Sequence, residues 1–546
     1  MLLKDIAVRV GNNEMKVKYK TTAREVLAEV LDEDKLNSAL AVRVNNQVKS
    51  VDERLVLDSI LSPIYYWDND GYKIYMRTAR LILYLALKRV CPTLEVELCN
   101  TIDNSSYFIC HNLEFDTKLE NSLNCEIQKI INSNMDITKK SVSYEEALAI
   151  FKAQGDISKL EDMEIKLKSS ISMCFIDDIA TTMYGVVAPK TGIIHNIQVK
   201  KFRKGFVLVY PDKNNENVID TNIQSNIVYD TFEEFNEYAN SLGVKTVSDL
   251  NQKIIDGTVE ELIRISENLQ EEKLNKIIEN ITTDTKIKLI LISGPSSSGK
   301  TTFAKKLGTK LKNYDIEPIE ISMDNYFKER VDTPKLENGE YDFETVDALD
   351  LELFNAHIQK LLTGEEITMP EFNFITGKKE YNNSTIKLSE KSVIILEGIH
   401  ALNPIVTKSI AEDTKYKIYI APMTTLNMDD MSKVSTTDTR MLRRMVRDFE
   451  TRGHSVDKTL NMWKNLTRGE KLYIYPFIKE ANAIFNTSLI YEVAAMSVYA
   501  KPLLLQVKMD NVNYSEARRL YNFLTNFLPI DERDIPKNSL LREFIG

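Results

Sequence analysis

Cysteine, long apolar runs and excess positive charge are all scarce in this sequence of 546 residues. The five cysteines are odd in number and form no C-x-x-C pair, so neither a disulfide framework nor a zinc ribbon is indicated. The longest apolar run, Leu81 to Leu87, is far shorter than the ~20 residues that a membrane span needs. We therefore expect a cytoplasmic protein without a membrane anchor. The cysteines are Cys91, Cys99, Cys110, Cys125 and Cys174.

The net charge of −10 argues against a broad nucleic-acid footprint, because such a footprint needs an excess of basic residues. A local basic patch is compatible with this balance. The length predicts about two to four domains, with enough core to fold without metals or disulfides. Composition therefore favours chemistry on small molecules.

Residues 294 to 301 read Gly-Pro-Ser-Ser-Ser-Gly-Lys-Thr, a complete G-x-x-x-x-G-K-[ST] phosphate-binding loop. Gly294 and Gly299 permit backbone geometries in which successive N–H groups point at phosphate oxygens. Lys300 supplies a positive charge for the β and γ phosphates, and Thr301 supplies a hydroxyl for Mg²⁺. The residues predicted to bind the phosphates of ATP are Gly294, Pro295, Ser296, Ser297, Ser298, Gly299, Lys300, Thr301 and Thr302.

The residues around this loop match the strand, loop and helix order that the motif requires. Ile287 to Ser293 form a short apolar run of strand type, and Phe303, Leu307 and Leu311 recur at four-residue spacing. This context disfavours the alternative, an ordinary Gly/Ser turn. The fold class predicted for the region is α/β, a P-loop NTPase with a parallel sheet and helices on both faces.

Two acidic residues follow apolar strands further along the chain. An alternating stretch ends at Asp324, and the apolar run at 392 to 396 ends at Glu397. Ligands bind at the carboxyl ends of strands in an open parallel sheet. Asp324 is thus a candidate general base for a hydroxyl and a candidate Mg²⁺ ligand, and Glu397 is a Walker B-like acid. The alternative for each is an acid that only closes its strand.

Four arginines share one face of a predicted helix, because Arg440, Arg443, Arg444 and Arg447 lie at positions i, i+3, i+4 and i+7. Like charges stacked in this way repel one another, so the arrangement makes sense if an anion binds between them. We predict a lid that closes arginines over transferring phosphates. The competing interpretation is a solvated charged face balanced by acids such as Asp448.

The first sixty residues predict a small mixed unit. A hairpin turns at residues 11 to 13, a capping box at Thr22 and Glu25 starts a helix, and a second strand pair brackets Asn45 and Asn46. This ββαββ order suggests a β-grasp fold. The segment 39 to 48 resembles the TGS domain that opens threonyl-tRNA synthetases, which implies an RNA contact.

Residues 71 to 92, 143 to 151 and 185 to 192 resemble the second additional domain of the same synthetases, an α+β unit that edits mischarged tRNA. The histidine and cysteine ligands of that domain are replaced, which implies a binding or scaffolding role without hydrolysis. His111 and His195 are interpreted as ordinary surface or core histidines. The positions that align with the ligands hold Thr78, Ile82, Met183 and Val187.

The second half of the chain resembles the uridine kinase and phosphoribulokinase family of P-loop kinases, over about residues 284 to 500. The motifs in the family's order are the phosphate loop, Ser322 to Tyr326, Tyr341 to Ala348, Pro370 to Phe374, Glu397 to Ile399 and Arg443 to Gly453. The resemblance implies that Asp324 is the general base and that Asp342 contacts ribose hydroxyls. It implies catalytic roles for Lys300, Asp324, Arg444 and Arg447, phosphate binding by Arg443, acceptor binding by Asp342, Phe372, Phe374 and Arg452, and Mg²⁺ binding by Thr301, Asp324 and Glu397.

One motif departs from the uridine kinase pattern. Uridine kinases have P-x-Y-D-F-x-x-H, in which Tyr and His read the pyrimidine, whereas this chain has Phe372 and Gly377 at those two positions. A site that loses hydrogen-bonding groups should lose base discrimination. Lys378 and Lys379 follow and would suit an acidic acceptor.

The sequence therefore predicts an ATP- and Mg²⁺-dependent kinase that phosphorylates a hydroxyl of a nucleoside or related ribosyl compound. Two alternatives stay open: an RNA- or ribosome-associated regulator that uses its P-loop domain as a switch, and a kinase acting on a sugar phosphate. Assembly into a homo-oligomer also stays open. The predicted domains are a TGS-like unit (1–62), an editing-like unit (63–211), a helical connector (212–283), a kinase-like domain (284–505) and a C-terminal helical extension (506–546).

Overall fold

The structure is a computed structural model. It describes residues 5–102, 104–156, 159–160, 170–223, 227–381, 385–429 and 431–546. Among these residues, no helix is both long enough and apolar enough to cross a membrane.

The N-terminal unit is a mixed five-stranded sheet in the order β2-β1-β5-β3-β4, in which β1 and β5 run parallel. The predicted hairpins and the capping box at Thr22 and Glu25 are present. The elements are β1 Ile6–Val10, β2 Asn13–Val17, α1 Ala23–Ala28, α2 Glu33–Asn37, β3 Ala41–Val44, β4 Gln47–Lys49 and β5 Ser59–Ile64.

Strand β5 is absent from the sequence prediction, although it lies between β1 and β3. Pro63 lacks an N–H group and argues against a central strand in pattern analysis. The domain boundary predicted at residue 62 falls inside this strand, which ends at Ile64. The resemblance to a TGS domain stays a prediction.

The next region contains two antiparallel sheets, with strand orders β10-β9-β8 and β11-β12-β7-β6. Its long helix is almost wholly buried over its second half. The elements are α3 Asn69–Val90, β6 Val96–Ile102, β7 Ser105–Cys110, α4 Thr117–Asn132, β8 Ile137–Ser143, α5 Tyr144–Gln154, β9 Ser170–Ile176, β10 Ile179–Thr182, β11 Gln198–Phe202 and β12 Gly205–Val209.

The four positions that align with synthetase ligands come together in this region. Ile82, Met183 and Val187 belong to one buried apolar cluster. The Thr78 hydroxyl donates to the carbonyl of Ile74 and accepts from the N–H of Ala188, each at 2.8 Å. These contacts join α3 to the loop at 183 to 188 by packing and hydrogen bonding. The resemblance to an editing domain stays a prediction.

Within the described part of 212–283, three helices lead to the second half. They are α6 Ile227–Ser241, α7 Val247–Ile255 and α8 Val259–Thr283. One face of α8 packs against the kinase-like region through Leu274, Ile277 and Ile281, which share a core with Ile290 and Phe303.

The second half is built on a parallel five-stranded sheet in the order β14-β19-β13-β20-β23. Every residue of β13 is buried, and its side chains alternate between two cores on opposite faces. The main elements are β13 Leu289–Ser293, α9 Lys300–Leu311, β14 Glu317–Ser322, α10 Leu351–Leu362, β15 Ile367–Thr368, β16 Glu371–Asn373, β17 Lys378–Glu380, β18 Thr385–Ile386, β19 Ser392–Glu397, β20 Lys415–Ala421, β21 Asn427–Asp429, β22 Ser432–Lys433, α11 Thr436–Arg452, α12 Val456–Tyr473, β23 Ala483–Asn486, α13 Glu492–Leu504, α14 Tyr514–Leu524 and α15 Arg542–Ile545.

This half has a P-loop kinase-like fold, with helices on both faces of a parallel sheet. The core on one of its two faces extends into the preceding region. Tyr107 of β7 and Val207 of β12 lie in the same buried cluster as Leu289 and Leu291 of β13. The N-terminal half and the kinase-like half therefore share a core.

Candidate active site

The phosphate loop lies between β13 and α9, as predicted. Gly294 approaches β20 so closely that a Cβ there would lie 2.1 Å from the carbonyl oxygen of Ile420. Lys300 Nζ donates to the carbonyls of Gly294 at 2.9 Å and Pro295 at 3.1 Å. Burial lowers the pKa of Lys300, whereas the charges of Glu397, Asp324 and Glu543 act in the opposite direction. The lysine is thus held across the loop, near three carboxylates.

Two carboxylates lie at the carboxyl ends of neighbouring strands. Ser322, the last residue of β14, pairs in register with Glu397, the last of β19, and its hydroxyl donates to Glu397 Oε1 at 2.8 Å. Asp324 follows in a 3₁₀ turn at Met323–Tyr326, where it remains exposed to solvent. Burial and the charge of Asp324 raise the pKa of Glu397. The surrounding protein also raises the pKa of Asp324 by desolvation, against the opposing charges of Lys300, Arg452 and Arg447.

The oxygen donors at this point fit a magnesium ion. Carboxylates and hydroxyls are hard ligands, and Mg²⁺ is usually held by one or two carboxylates together with substrate phosphates. Within the described ranges, no group of three or more His, Cys, Asp or Glu side chains is arranged to hold a metal ion. Thr301, Asp324 and Glu397 are the residues that would hold the ion.

The arginine-bearing helix α11 divides its arginines into two groups. Arg440 and Arg443 are 2% and 1% exposed, so they form no solvated face. Arg440 pairs with the buried Glu470, and its Nε donates to the carbonyl of Ser296 at 3.1 Å. Arg443 pairs with the buried Glu492 and donates to the carbonyls of Thr487 at 2.8 Å and Ser297 at 3.5 Å.

These contacts change the role predicted for Arg443. Its charge is neutralised by Glu492, and its guanidinium lies behind the loop, bonded to main-chain carbonyls. A guanidinium in this position supports the backbone of the loop. Adjacent residues on a helix point about 100° apart, so the periodic pattern alone does not distinguish Arg443 from Arg444.

The second group of arginines shares a single acid. Arg444, Arg447 and Arg452 all lie within 3.5 Å of Asp448, whose side chain is fully buried. Arg444 also donates to the hydroxyl of Ser296 in the loop. Arg447 also lies 4.0 Å from Glu543, so the ion pairs of these three guanidinium groups involve two carboxylates, and an excess of positive charge remains among them beside the loop. This excess is the feature that a phosphate clamp requires.

The acceptor segment also contributes to the site. Asp342 accepts from Arg468 of α12 at 2.7 Å. Phe372 is 5% exposed, whereas Phe374 is 57% exposed. Both rings contact Phe327, which follows the Asp324 turn, with centroid distances of 5.7 and 6.1 Å. Lys379, predicted to suit an acidic acceptor, instead pairs with Asp350.

Sequence analysis missed three acids near the loop. Glu470 accepts from the N–H of Ser296 at 3.3 Å as well as from Arg440. Glu543 of α15 accepts from the Thr302 hydroxyl at 2.5 Å, from 241 residues away. Burial and the charge of Glu470 raise the pKa of Glu344 to about 7. Glu470 and Glu543 lie in none of the predicted motifs, and Glu344 lies in the Tyr341 to Ala348 motif without a predicted role, so the tertiary fold shows the position of all three.

Comparison with known proteins agrees with this geometry. Residues 289–493 match the model of the "Phosphoribulokinase / Uridine kinase family". A uridine kinase of Brevibacillus brevis is 30% identical over 197 residues, which cover 36% of this chain and 83% of that protein. A uridine kinase of Borrelia duttonii is 31% identical over 199 residues, which cover 36% of this chain and 85% of that protein.

A solved structure, described as a possible uridine kinase from Bacillus stearothermophilus, aligns with a TM-score of 0.26 and 19% identity over 39% of this chain and 99% of that chain. So low a TM-score adds nothing to the assignment. The relatives with 30% identity or more, matched over most of their length, decide it. Through its second half, the chain belongs to the phosphoribulokinase and uridine kinase family.

Proposed function

We propose that this protein is an ATP- and Mg²⁺-dependent kinase that transfers the γ-phosphate to a hydroxyl of a nucleoside or related ribosyl compound. The observation that carries the proposal is the pair of carboxylates, Asp324 and Glu397, at the ends of neighbouring parallel strands. Both act on the pKa of Lys300 in the phosphate loop. A base, a metal ligand and a phosphate-binding cation thus meet at one edge of the sheet.

In the reaction that we propose, the acceptor hydroxyl attacks the γ-phosphorus while Asp324 takes its proton. The bond from the γ-phosphorus to the β–γ bridging oxygen breaks, and ADP leaves. Lys300, Arg444 and Arg447 donate to phosphate oxygens and stabilise the charge that develops in the transition state. Mg²⁺ held at Thr301, Asp324 and Glu397 would add charge neutralisation.

Acceptor binding is assigned to the opposite side of Asp324. Asp342 accepts from Arg468 at 2.7 Å through one oxygen and from the N–H of Glu344 at 3.2 Å through the other, and each carboxylate oxygen has a further lone pair for a ribose hydroxyl. The exposed ring of Phe374 offers a surface for a flat group. Lys378 and Lys379 are the two lysines predicted to suit an acidic acceptor. Because Asp350 neutralises the charge of Lys379, the charge of Lys378 is the one left to favour a sugar phosphate.

The test is a panel of ribonucleosides and sugar phosphates incubated with ATP and Mg²⁺, with ADP release as the readout. Asp324→Asn should lower turnover by about a thousandfold, because it removes the base, while ATP binding is retained. Asp315→Asn is the matched control, since Asp315 precedes the other end of β14 and pairs with Lys391.

Two results would contradict the proposal. Full turnover by Asp324→Asn would remove Asp324 as the base. If no compound in the panel raised ADP release above the level with water alone, a nucleotide-dependent regulator would become the better interpretation of the protein.

A further inference from the structure

Arg330 clamps the hairpin that carries the two acceptor-site phenylalanines. It begins a 3₁₀ turn at Arg330–Asp332, just after the Asp324 turn. Its guanidinium donates to the carbonyl of Phe374 at 2.6 Å and to that of Ile375 at 3.4 Å. Its own N–H donates to the carbonyl of Gly377 at 2.9 Å. The side chain is therefore fixed against the β16–β17 turn.

The same side chain fills the space over Gly377. A Cβ at residue 377 would lie 2.8 Å from both Cβ and Nε of Arg330. The φ of +69° at Gly377 also favours glycine. A side chain projecting from position 377 is excluded, and the guanidinium occupies that place.

Donor groups of Arg330 remain available there. A guanidinium has more N–H groups than the two carbonyl bonds use, and it has no acceptor. Across the described part of the chain, no acidic side chain lies within ion-pair distance of Arg330. The residue is partly exposed. A positive, donor-only group thus lies at the edge of the acceptor region.

The aromatic cluster links this group to the reacting centre. Phe327, three residues after Asp324, packs edge-to-face against Phe343 at 5.6 Å and Phe372 at 5.7 Å. Phe374, whose carbonyl Arg330 binds, presents a ring that is 57% exposed. Arg330 thus lies beside the exposed ring of an aromatic cluster that begins three residues after Asp324.

We propose that Arg330 reads the base of the acceptor nucleoside, selecting bases that present carbonyl oxygens over bases that present amino groups at that edge. This inference rests on the proposed function. The physical reason is that a guanidinium only donates hydrogen bonds. An amino group facing it is also a donor, so the guanidinium N–H and the amino N–H would both lack an acceptor. A site built on hydrogen bonds rejects an analogue that cannot form them.

The experiment compares kcat/KM for two matched pairs, uridine against cytidine and inosine against adenosine. We expect the oxo member to be preferred by roughly tenfold to hundredfold in at least one pair. Arg330→Gln should bring that ratio close to one, mainly through KM, because an amide both donates and accepts. Arg330→Lys, which still only donates, should keep the direction of the preference.

Thr376→Ala is the control, since Thr376 is exposed in the turn of the same hairpin. It should leave the ratio unchanged. ATP affinity and the melting temperature of each variant show whether the hairpin and the loop are intact. Should Arg330→Gln unfold, the ratios of the native protein and of Arg330→Lys still decide the inference.

Three results would overturn the inference. Equal use of oxo and amino nucleosides would do so while leaving the proposed kinase activity in place. A preference for ribose 5-phosphate over every nucleoside, lost in Arg330→Gln, would assign the guanidinium to an anion. If no nucleoside were phosphorylated, the inference and the proposed function would fail together.

Discussion

Arg443 and Glu492 form an ion pair in which each side chain is only 1% exposed. The pair joins α11 to the start of α13, and Arg443 extends it to the carbonyls of Thr487 and Ser297. The ring of Phe544 lies 4.9 Å from the same guanidinium. A residue predicted to bind phosphate is thus part of the core that supports the loop.

Glu492→Gln should therefore destabilise the protein by about 3 kcal/mol, because it leaves the buried charge of Arg443 without its partner. The combined change Arg443→Met with Glu492→Leu should cost less than Glu492→Gln alone, since no charge stays buried. Thermal and urea unfolding measure both. If Arg443→Met reduced only ATP affinity and left stability intact, the result would support the prediction that Arg443 binds phosphate.

Glu344→Gln should change how stability depends on pH. The native pKa of Glu344, about 7, lies above its ordinary value of 4.5, so the native state holds the proton more tightly than the unfolded chain. The stability of the native protein should therefore fall as pH rises from about 4.5 to 7, by up to roughly 3 kcal/mol. The variant should lose this dependence and be relatively more stable at pH 8. Urea unfolding at pH 5 and pH 8 tests it; parallel curves for both proteins would contradict the assignment.

Glu543→Gln should strengthen ATP binding several-fold. The Glu543 carboxylate accepts from Thr302 at 2.5 Å, close to the start of α9, where phosphates bind. Removing one negative charge from that position should be worth about 1 kcal/mol toward a polyanion. Glu532→Gln is the control, since Glu532 accepts from Tyr499. Calorimetric titration with ATP gives the answer, and weaker binding would mean that Glu543 makes a favourable contact with the nucleotide.

Asp448→Asn should raise the KM for ATP and lower kcat. The change leaves Arg444, Arg447 and Arg452 without their shared acid, so mutual repulsion should move them out of position. A loss of about tenfold in kcat/KM is expected, and added salt should reduce the repulsion and recover part of it. Asp457→Asn, on the next helix, is the control. An unchanged kcat/KM would show that Asp448 does not position the arginines.

The parts of the site that the sequence predicts are those encoded by short sequence motifs. The phosphate loop, the acids after β14 and β19, and the helix carrying Arg444 all follow from local spacing and strand-end rules. The family resemblance adds an order of motifs, and the comparisons support the family over residues 289–493. Local spacing suffices here because each of these features lies within a single turn or helix.

The missing parts depend on contacts between distant segments. Thr302 and Glu543 are 241 residues apart, and no local pattern joins them. Arg443 and Arg444 are adjacent and chemically identical, yet one supports the loop and the other faces it. Strand β5 escapes prediction because Pro63 weakens its pattern, although its neighbours in the sheet fix its place.

The shared core behind β13 means that the stretch matched to kinases is not a folding unit. Tyr107 and Val207 belong to the same buried cluster as Leu289 and Leu291, so a fragment cut at residue 284 should expose apolar surface that this cluster buries. The intact protein should melt in one cooperative step, with the two halves unfolding together. A truncation chosen by homology alone would remove part of the buried core of the kinase-like half. The N-terminal half then has a role in stability that is independent of any ligand it binds.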